Sequence, residues 1–324
     1  MPSLIPFSTP DIDDSEINEV IDTLRSSWIS SGPKVKQFES DFQDFIGSGV
    51  EAVSVNSATA GLHLALEALG VGEGDEVILP SLTFTATAGV VSYLNADVKF
   101  LDVDPLTLNI NIDHIRSAVT SRTKVIIVVH YAGLSCDMDK ILSLADELNL
   151  KVVEDAAHAL PTTYKGRIIG SLQSDATVFS FYANKTMTTG EGGMVVARDI
   201  DLIKRIKIMR LHGIDRDAFT RFQSKKPKWY YEVVAPGFKY NMTDIAAALG
   251  IHQLKKLPKF LERRQYLVKR YLNKLASLPL TLPSDDMNGG SHAWHLFIIR
   301  IKIDAKMNRD DLIQFLGDQG IGTS

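Results

Sequence analysis

Through the first two thirds of the chain, runs of aliphatic and β-branched residues alternate with segments of helical periodicity. Residues 52–55, 76–79, 98–101, 124–129 and 151–154 are short and apolar almost throughout, so they read as buried strands. Helical patterns at 35–46, 58–69 and 137–148 fall around and between them. This alternation predicts an α/β fold with a mainly parallel central sheet covered on both faces. Two further strands, 176–180 and 194–197, bracket a polar segment. From about Thr243 the pattern turns helical. A helix at 244–256 is expected to stop before Pro258 and a second to run over 258–275, with Glu262, Arg263 and Arg264 on its wet face. A return strand at 294–301 and a helix at 309–316 predict a smaller C-terminal α+β domain, dividing the chain into residues 1–250 and 251–324. Residues 215–229, with Lys225, Lys226 and Lys228, read as a mobile surface loop.

Composition narrows the function classes without choosing one. A chain of 324 residues with 45% apolar and 23% charged residues is an ordinary globular protein. A net charge of −4 supplies no basic field, so nucleic acid is not expected as a partner. Cys136 is the single cysteine, which excludes a disulfide framework, a cysteine zinc site and an iron–sulfur cluster; no metal is expected. The amino-terminal residues lack a basic, apolar leader, and no apolar run reaches spanning length, so the expected setting is cytoplasmic, away from membranes.

Chemistry enters at the polar segment between the last two strands. It reads Ser180-Phe-Tyr-Ala-Asn-Lys185-Thr-Met-Thr-Thr-Gly-Glu-Gly-Gly193, and the strand before it ends Val-Val-Glu154-Asp155-Ala-Ala-His158. A lysine that meets an acid at the carboxyl end of a buried strand is what pyridoxal phosphate (PLP) chemistry requires. The amine forms a Schiff base with the cofactor aldehyde, and the carboxylate keeps the pyridine nitrogen protonated. Each part also has a plainer reading. Lys185 could be a turn residue, and Asp155 a helix cap with His158 packed behind it. Asn56-Ser-Ala-Thr59-Ala60-Gly61, where a strand gives way to a helix, suits an anion held by the amides near Thr59 and Ala60, or is an ordinary capped helix. Phe84 could stack on a planar ring or fill the core. His292 and His295, in His-Ala-Trp-His, could bond a ligand or be satisfied structure. Trp28-Ile-Ser30-Ser-Gly-Pro-Lys34 reads first as a turn.

As a set, these segments resemble the PLP-dependent nucleotide-sugar aminotransferases of the DegT/DnrJ/EryC1/StrS family. The markers include Asn56-Ser-Ala-Thr-Ala-Gly61, His130-Tyr-Ala-Gly133, Glu154-Asp-Ala-Ala-His158, Asn184-Lys185, Gly190-Glu-Gly-Gly193 and Gly237-Phe-Lys-Tyr-Asn-Met242. The resemblance implies the aspartate-aminotransferase (type I) fold and a homodimer with shared active sites. Lys185 would be the Schiff-base lysine and proton shuttle, and Asp155 the partner of the pyridine nitrogen. His158 would lie on the cofactor's phenolic side, with Phe84 stacked on the ring. Thr59, Ala60 and Ser180 would hold the phosphate, joined by Asn241 from the other subunit. Trp28, Ser30, Lys34, His292 and His295 are the candidate substrate contacts. L-glutamate would donate the amine, and a keto sugar on a nucleotide would accept it.

Within the family the nearest likeness is to enzymes that aminate C4 of UDP-linked 4-keto sugars, the UDP-4-amino-4-deoxy-L-arabinose aminotransferases among them. Phe84 stands where those carry Trp, and Tyr-Ala-Asn-Lys185 replaces their His-Ala-Ile-Lys, so pentose and 6-deoxyhexose both stay open. Family members also run on beyond the point reached by Ser324, which implies an incomplete small domain and incomplete sugar-nucleotide recognition. Three rival readings remain. A PLP-dependent sugar dehydratase shares the fold, but Lys185 and the solitary Cys136 count against it. A non-catalytic binding or regulatory protein on the same scaffold is the second. An NAD-dependent dehydrogenase lacks its Gly-x-Gly-x-x-Gly fingerprint here.

Overall fold

A computed structural model describes residues 4–47, 49–215, 229–284 and 289–324. The predicted loop at 215–229 lies almost wholly outside these. The chain opens with α1 (Asp14–Arg25) and α2 (Pro33–Ile46), then alternates β1 (Glu51–Val55), α3 (Ala58–Ala68), β2 (Glu76–Pro80), α4 (Thr85–Tyr93) and β3 (Asp97–Leu101). A short α5 (Ile115–Ala118) precedes β4 (Thr123–Val129), α6 (Met138–Glu147) and β5 (Lys151–Asp155). A small hairpin, β6 (Thr163–Tyr164) and β7 (Arg167–Ile168), leads to β8 (Ala176–Ser180), β9 (Gly193–Ala197) and α7 (Ile200–Met209). The remainder is α8 (Asp244–Leu275), β10 (Leu280–Thr281), β11 (Arg300–Ile301) and α9 (Arg309–Asp318).

Seven strands form one sheet in the order β1-β9-β8-β5-β4-β2-β3. All its pairings are parallel except those of β9, which runs antiparallel to both neighbours. Successive side chains on a strand point to opposite faces, and both faces are covered. Val125 and Ile127 enter the layer built with α3, α4 and α7, whereas Ile126 and Val128 enter the layer built with α2, α6 and α8. The second layer centres on Phe38, Phe42, Phe179 and Phe181, whose rings meet at 5.2–6.1 Å in tilted and edge-on contacts. Helix α3 is buried from Ala60 to Leu66, as expected for a helix apolar on all sides.

Three expectations fail at the carboxyl end. The break at Pro258 does not occur: α8 is one helix of 32 residues with Pro258 inside it. Its ring removes one backbone hydrogen bond, but Ile251, Leu254 and Leu257 are buried and Phe260 packs against the same core, so side-chain burial carries the helix through. The division proposed at 250/251 therefore falls within a helix. The strand expected over 294–301 shrinks to Arg300–Ile301, paired with Leu280–Thr281. Trp294 takes a left-handed φ of 51°, which ends any extended run there. Arg264, expected on a wet face, is half-buried and donates to the carbonyls of Trp294 and His295.

Charged side chains fix α1 on α8. Lys256 lies 2.9 Å from Asp13 and 2.7 Å from the buried Glu16, and the Gln253 amide donates to Glu16 at 2.8 Å. The Lys256 ammonium beside Asp13 holds its carboxyl below the ordinary 3.8. Burial pushes Glu16 up, but hydrogen bonds from Lys256, the Asp13 amide and Gln253 more than offset this and hold it below 4.5. Both folded-state values are depressed, so this stabilisation is complete above the ordinary carboxylate range and is lost as pH falls through the lower folded values. Calorimetric melting between pH 6 and about pH 3 is expected to show a falling midpoint that Lys256→Met flattens. An equally steep fall in the variant would place the acid sensitivity elsewhere.

Among the described residues no helix is long and apolar enough to cross a membrane, and no cluster of His, Cys, Asp and Glu could hold a metal ion.

Candidate active site

The carboxyl ends of the parallel strands converge at the centre of the sheet, where open α/β folds leave a crevice. β5 ends in Asp155, next to β8 in the sheet. The chain leaves β8 at Ser180, turns through 181–192 and returns as β9. That turn is tightly bonded. Phe181 N donates to Gly192 O at 2.9 Å, Thr189 N to Phe181 O at 2.9 Å, and Thr188 Oγ1 to the same carbonyl at 3.0 Å. Thr188 N also reaches Gln253 Oε1 at 3.3 Å, which couples the turn to α8 and, through Gln253, to α1. Lys185 projects from this fixed turn.

Asp155 is 5% exposed. Its Oδ2 accepts from Thr87 Oγ1 at 2.8 Å and its Oδ1 from Ala157 N at 3.2 Å. Burial pushes the carboxyl up, and Thr87, Ala157 and the Lys185 charge pull against it. Burial lowers the proton affinity of Lys185, while the Asp155 charge acts in the opposite sense. The two groups thus share one poorly solvated space, each the other's electrostatic partner. His158 lies within the field of the same lysine. Burial and that charge hold it down to about 3.

The buried polar atoms left without partners reveal what the chain itself does not supply. Among the described residues these include His158 Nδ1, Asn184 Oδ1 and His295 Nδ1, three atoms gathered around Lys185 by sequence or by field. Buried polar groups are nearly always bonded, so such a cluster fits a polar occupant. The anion end is formed by the start of α3. Ser57 caps that helix, and its Oγ already accepts the Ala60 amide at 3.1 Å. The amides of Ala58 and Thr59 are first-turn donors without an intrahelical acceptor. The Ala60 amide, expected with Thr59 to face an anion, bonds to the Ser57 cap, so an anion there would share it with that hydroxyl. A Cβ built on Gly193 would come within 2.8 Å of Ala58 N, so only glycine lets β9 pass this turn. Ser180 pairs with Gly193 across the β8–β9 ladder. These groups fit the two ends of PLP in kind: a buried acid for a ring nitrogen, and helix-terminal amides with a hydroxyl for a phosphate.

The other expected residues divide between this site and elsewhere. Phe84 is 75% exposed at the N-cap of α4, one turn before Thr87, so the core reading fails. The His295 ring packs against His158, tilted by 37° with centroids 4.4 Å apart. His292 is turned to structure: its ring lies on Trp294 at 3.8 Å and its Nδ1 accepts Trp294 N at 2.8 Å. Trp28, Ser30, Lys34 and Asn241 form a separate cluster at the start of α2. Trp28 Nε1 donates to Ser31 O at 3.1 Å, Asn241 Nδ2 donates to Ser31 Oγ at 2.7 Å, Ser30 O accepts Asp244 N at 3.2 Å, and Lys34 pairs with Glu19. Buried Asp244 closes this cluster by accepting the amides of Gly32, Lys34 and Val35. Asn56 N donates to Tyr240 O at 2.7 Å, so the cluster borders the α3 turn.

Several contributors carry no signal in the sequence reading. Thr87, with Thr83 at 2.7 Å behind it, holds Asp155. Glu154, the residue before Asp155, is buried on the opposite face, where it meets His130 Nε2 at 2.8 Å and Thr177 Oγ1 at 2.8 Å. Burial opposes its charge, but His130, Ser174 and Thr177 more than compensate and hold it below its ordinary value. Adjacent Glu and Asp could have suggested one buried acid on each face of the sheet.

The family model for the DegT/DnrJ/EryC1/StrS aminotransferase family matches residues 10–324. The uncharacterised protein MJ1066 of Methanocaldococcus jannaschii is 50% identical over 99% of this chain and 83% of its own length. The spore coat polysaccharide biosynthesis protein SpsC of Bacillus subtilis is 47% identical over 99% of this chain and 82% of its own. Among solved structures, Spr1654 of Streptococcus pneumoniae, assigned as a sugar aminotransferase and determined in its PLP form, is 37% identical. It superposes with a TM-score of 0.90, covering 98% of this chain and 83% of that one.

Proposed function

Because the chain belongs to the DegT/DnrJ/EryC1/StrS aminotransferase family and is a PLP-dependent sugar aminotransferase, we propose that it passes the amine of L-glutamate to a nucleotide-linked keto sugar. The acceptor in this reading is a UDP-4-keto sugar aminated at C4, and the product feeds a surface polysaccharide, lipopolysaccharide or other glycoconjugate. The likeness to SpsC supports the polysaccharide setting. The carrying observation is the pair Lys185 and Asp155: the acid is buried at the end of β5, the partly buried amine acts on it through space, and His158 and His295, on which the same amine acts, each keep an unpartnered Nδ1.

Bound PLP supplies an aldehyde that takes up amines and a ring that draws electrons from the carbon being deprotonated. The chain supplies the rest. Asp155, kept in place by Thr87, holds the proton on the ring nitrogen. Lys185 Nζ binds the cofactor at rest and carries a proton between carbon centres during transfer. Thr59, Ala60 and Ser180 would hold the phosphate, with His158 on the phenolic side and Phe84 over the ring. Asn241, kept in the α2 cluster, serves the partner's phosphate in a homodimer with shared sites, and Trp28, Ser30 and Lys34 border the substrate there.

Incubation with PLP, L-glutamate and a panel of UDP-, GDP- and dTDP-linked 4-keto sugars is expected to give one amino sugar, identified by mass and NMR. A cofactor-loaded protein that aminates none of them would refute the proposal. Gly193→Ala should cost at least about tenfold in cofactor affinity, because the new methyl pushes β9 off the α3 turn. Absorbance retained after dialysis measures this directly.

A further inference from the structure

Trp294 sits at φ 51°, a region that bulky side chains enter only where their surroundings impose it. Here the surroundings do so from several sides. Ala293 N donates to Thr162 Oγ1 at 3.1 Å and to Gly133 O at 3.2 Å, and Leu296 N donates to Ala132 O at 3.3 Å. Trp294 N donates to His292 Nδ1, and the two rings lie flat on each other. From α8, Arg264 Nη1 donates to Trp294 O at 2.8 Å and to His295 O at 3.3 Å. The facing loop is as confined: a Cβ on Gly133, at φ 102°, would meet His158 O at 2.8 Å.

All of these contacts fix the backbone on either side of His295, yet the imidazole they place bonds to nothing in the protein. It is 8% exposed, packed on His158 with the rings tilted by 37°, and its buried Nδ1 has no hydrogen-bond partner among the described residues. A polar group so firmly placed and left unpaired fits a partner from outside the chain. His158, three residues from Asp155, is taken by the cofactor in the reading above. The second ring of the pair is left for the other occupant of the site.

The charges around His295 narrow that occupant further. His158, Lys185 and Arg264 act on it, and all of them oppose a second positive charge. Burial first, then these groups, hold it down to about 2. A neutral imidazole offers one donor and one acceptor, which matches a hydroxyl; a carboxylate calls for a cation.

We infer that His295 hydrogen-bonds a hydroxyl of the sugar and so serves only the sugar half of the reaction, with Arg264 as the residue that positions it. This rests on the sugar-aminotransferase reading. The test uses the cofactor-loaded protein, with the two halves measured separately by absorbance: L-glutamate alone, then whichever UDP-, GDP- or dTDP-linked 4-keto-6-deoxyhexose the unaltered protein aminates. His295→Phe keeps the packed ring and removes both nitrogens. It should lower kcat/KM for the sugar half by about 10- to 100-fold and leave the glutamate half within about twofold. Arg264→Met should show the same split more weakly, and His295→Gln should recover part of the loss. Sugar analogues each lacking one hydroxyl provide a check that needs no variant: the unaltered protein should discriminate against one of them by a similar factor, and His295→Gln should lose some of that discrimination. Parallel losses in both halves, no loss in either, or a loss confined to glutamate would overturn the inference. An unaltered protein that takes no amine from glutamate would remove the underlying reading and this inference together, before any variant is made.

Discussion

With Lys185 replaced by alanine, turnover falls by at least about 10⁴-fold while the melting midpoint moves by no more than a few degrees. Stability is spared because the amine contributes little to the fold. Burial lowers its affinity for a proton, so removing it relieves a desolvation cost. Activity is not spared because nothing nearby can replace it. The nearest alternative bases, His158 and His295, are held down to about 3 and about 2, and so bind protons too weakly to shuttle them near neutrality. Asp155 is bonded to Thr87 and Ala157 and, in the proposed arrangement, lies at the far end of the cofactor. Lys185→Arg should be as inactive, since a guanidinium keeps its proton at any working pH. Single-turnover measurements with L-glutamate would separate the two roles. Activity preserved in the arginine variant would mean that position 185 contributes charge and not proton transfer.

Asp155→Asn is expected to cost roughly 10²- to 10³-fold in kcat, with cofactor binding weakened less. Asparagine fills the same space and still accepts from the Thr87 hydroxyl, so the geometry survives while the charge disappears. Without that charge the ring nitrogen gives up its proton, and the ring draws electrons less strongly. Thr87→Val, which leaves the carboxylate in place but frees one of its oxygens, should cost about tenfold. The absorbance spectrum of the bound cofactor, titrated with pH, reads the ring proton directly. An Asp155→Asn protein with unchanged spectrum and near-normal kcat would show that some other group protonates the ring.

Much of this arrangement can be read from local pattern, and what cannot has a physical reason. The seven sheet strands were expected within a residue or two of where they lie, because burial on both faces demands continuous apolar runs. Asp155 stood out as a charged residue at the end of such a run, and Lys185 as the one lysine in the polar segment between two of them. Helices α1, α4, α5 and α7 are not among the predicted ones. Pro258 misled because its local cost is visible in sequence while the burial of Leu254 and Leu257 is not. Thr87 lies 68 positions from the acid it supports, and Arg264 is 31 from His295. Contacts of that span leave no periodic trace. His292 and His295 are equivalent in sequence, three positions apart in one tetrapeptide. Only the left-handed turn at Trp294 separates them, sending one into packing and the other into the site.

The antiparallel strand β9 has one more consequence. It lies between β1 and β8, inside the sheet and not at its rim, so the lysine turn is stitched at both ends into interior strands. Such a segment has no cheap way to fray. Its main-chain protons should trade with solvent only when the whole molecule opens, placing residues 176–180 and 193–197 among the slowest to take up deuterium. The amine of Lys185 is thus mounted between the strands expected to open last, and any breathing needed to admit two different substrates must come from elsewhere in the chain.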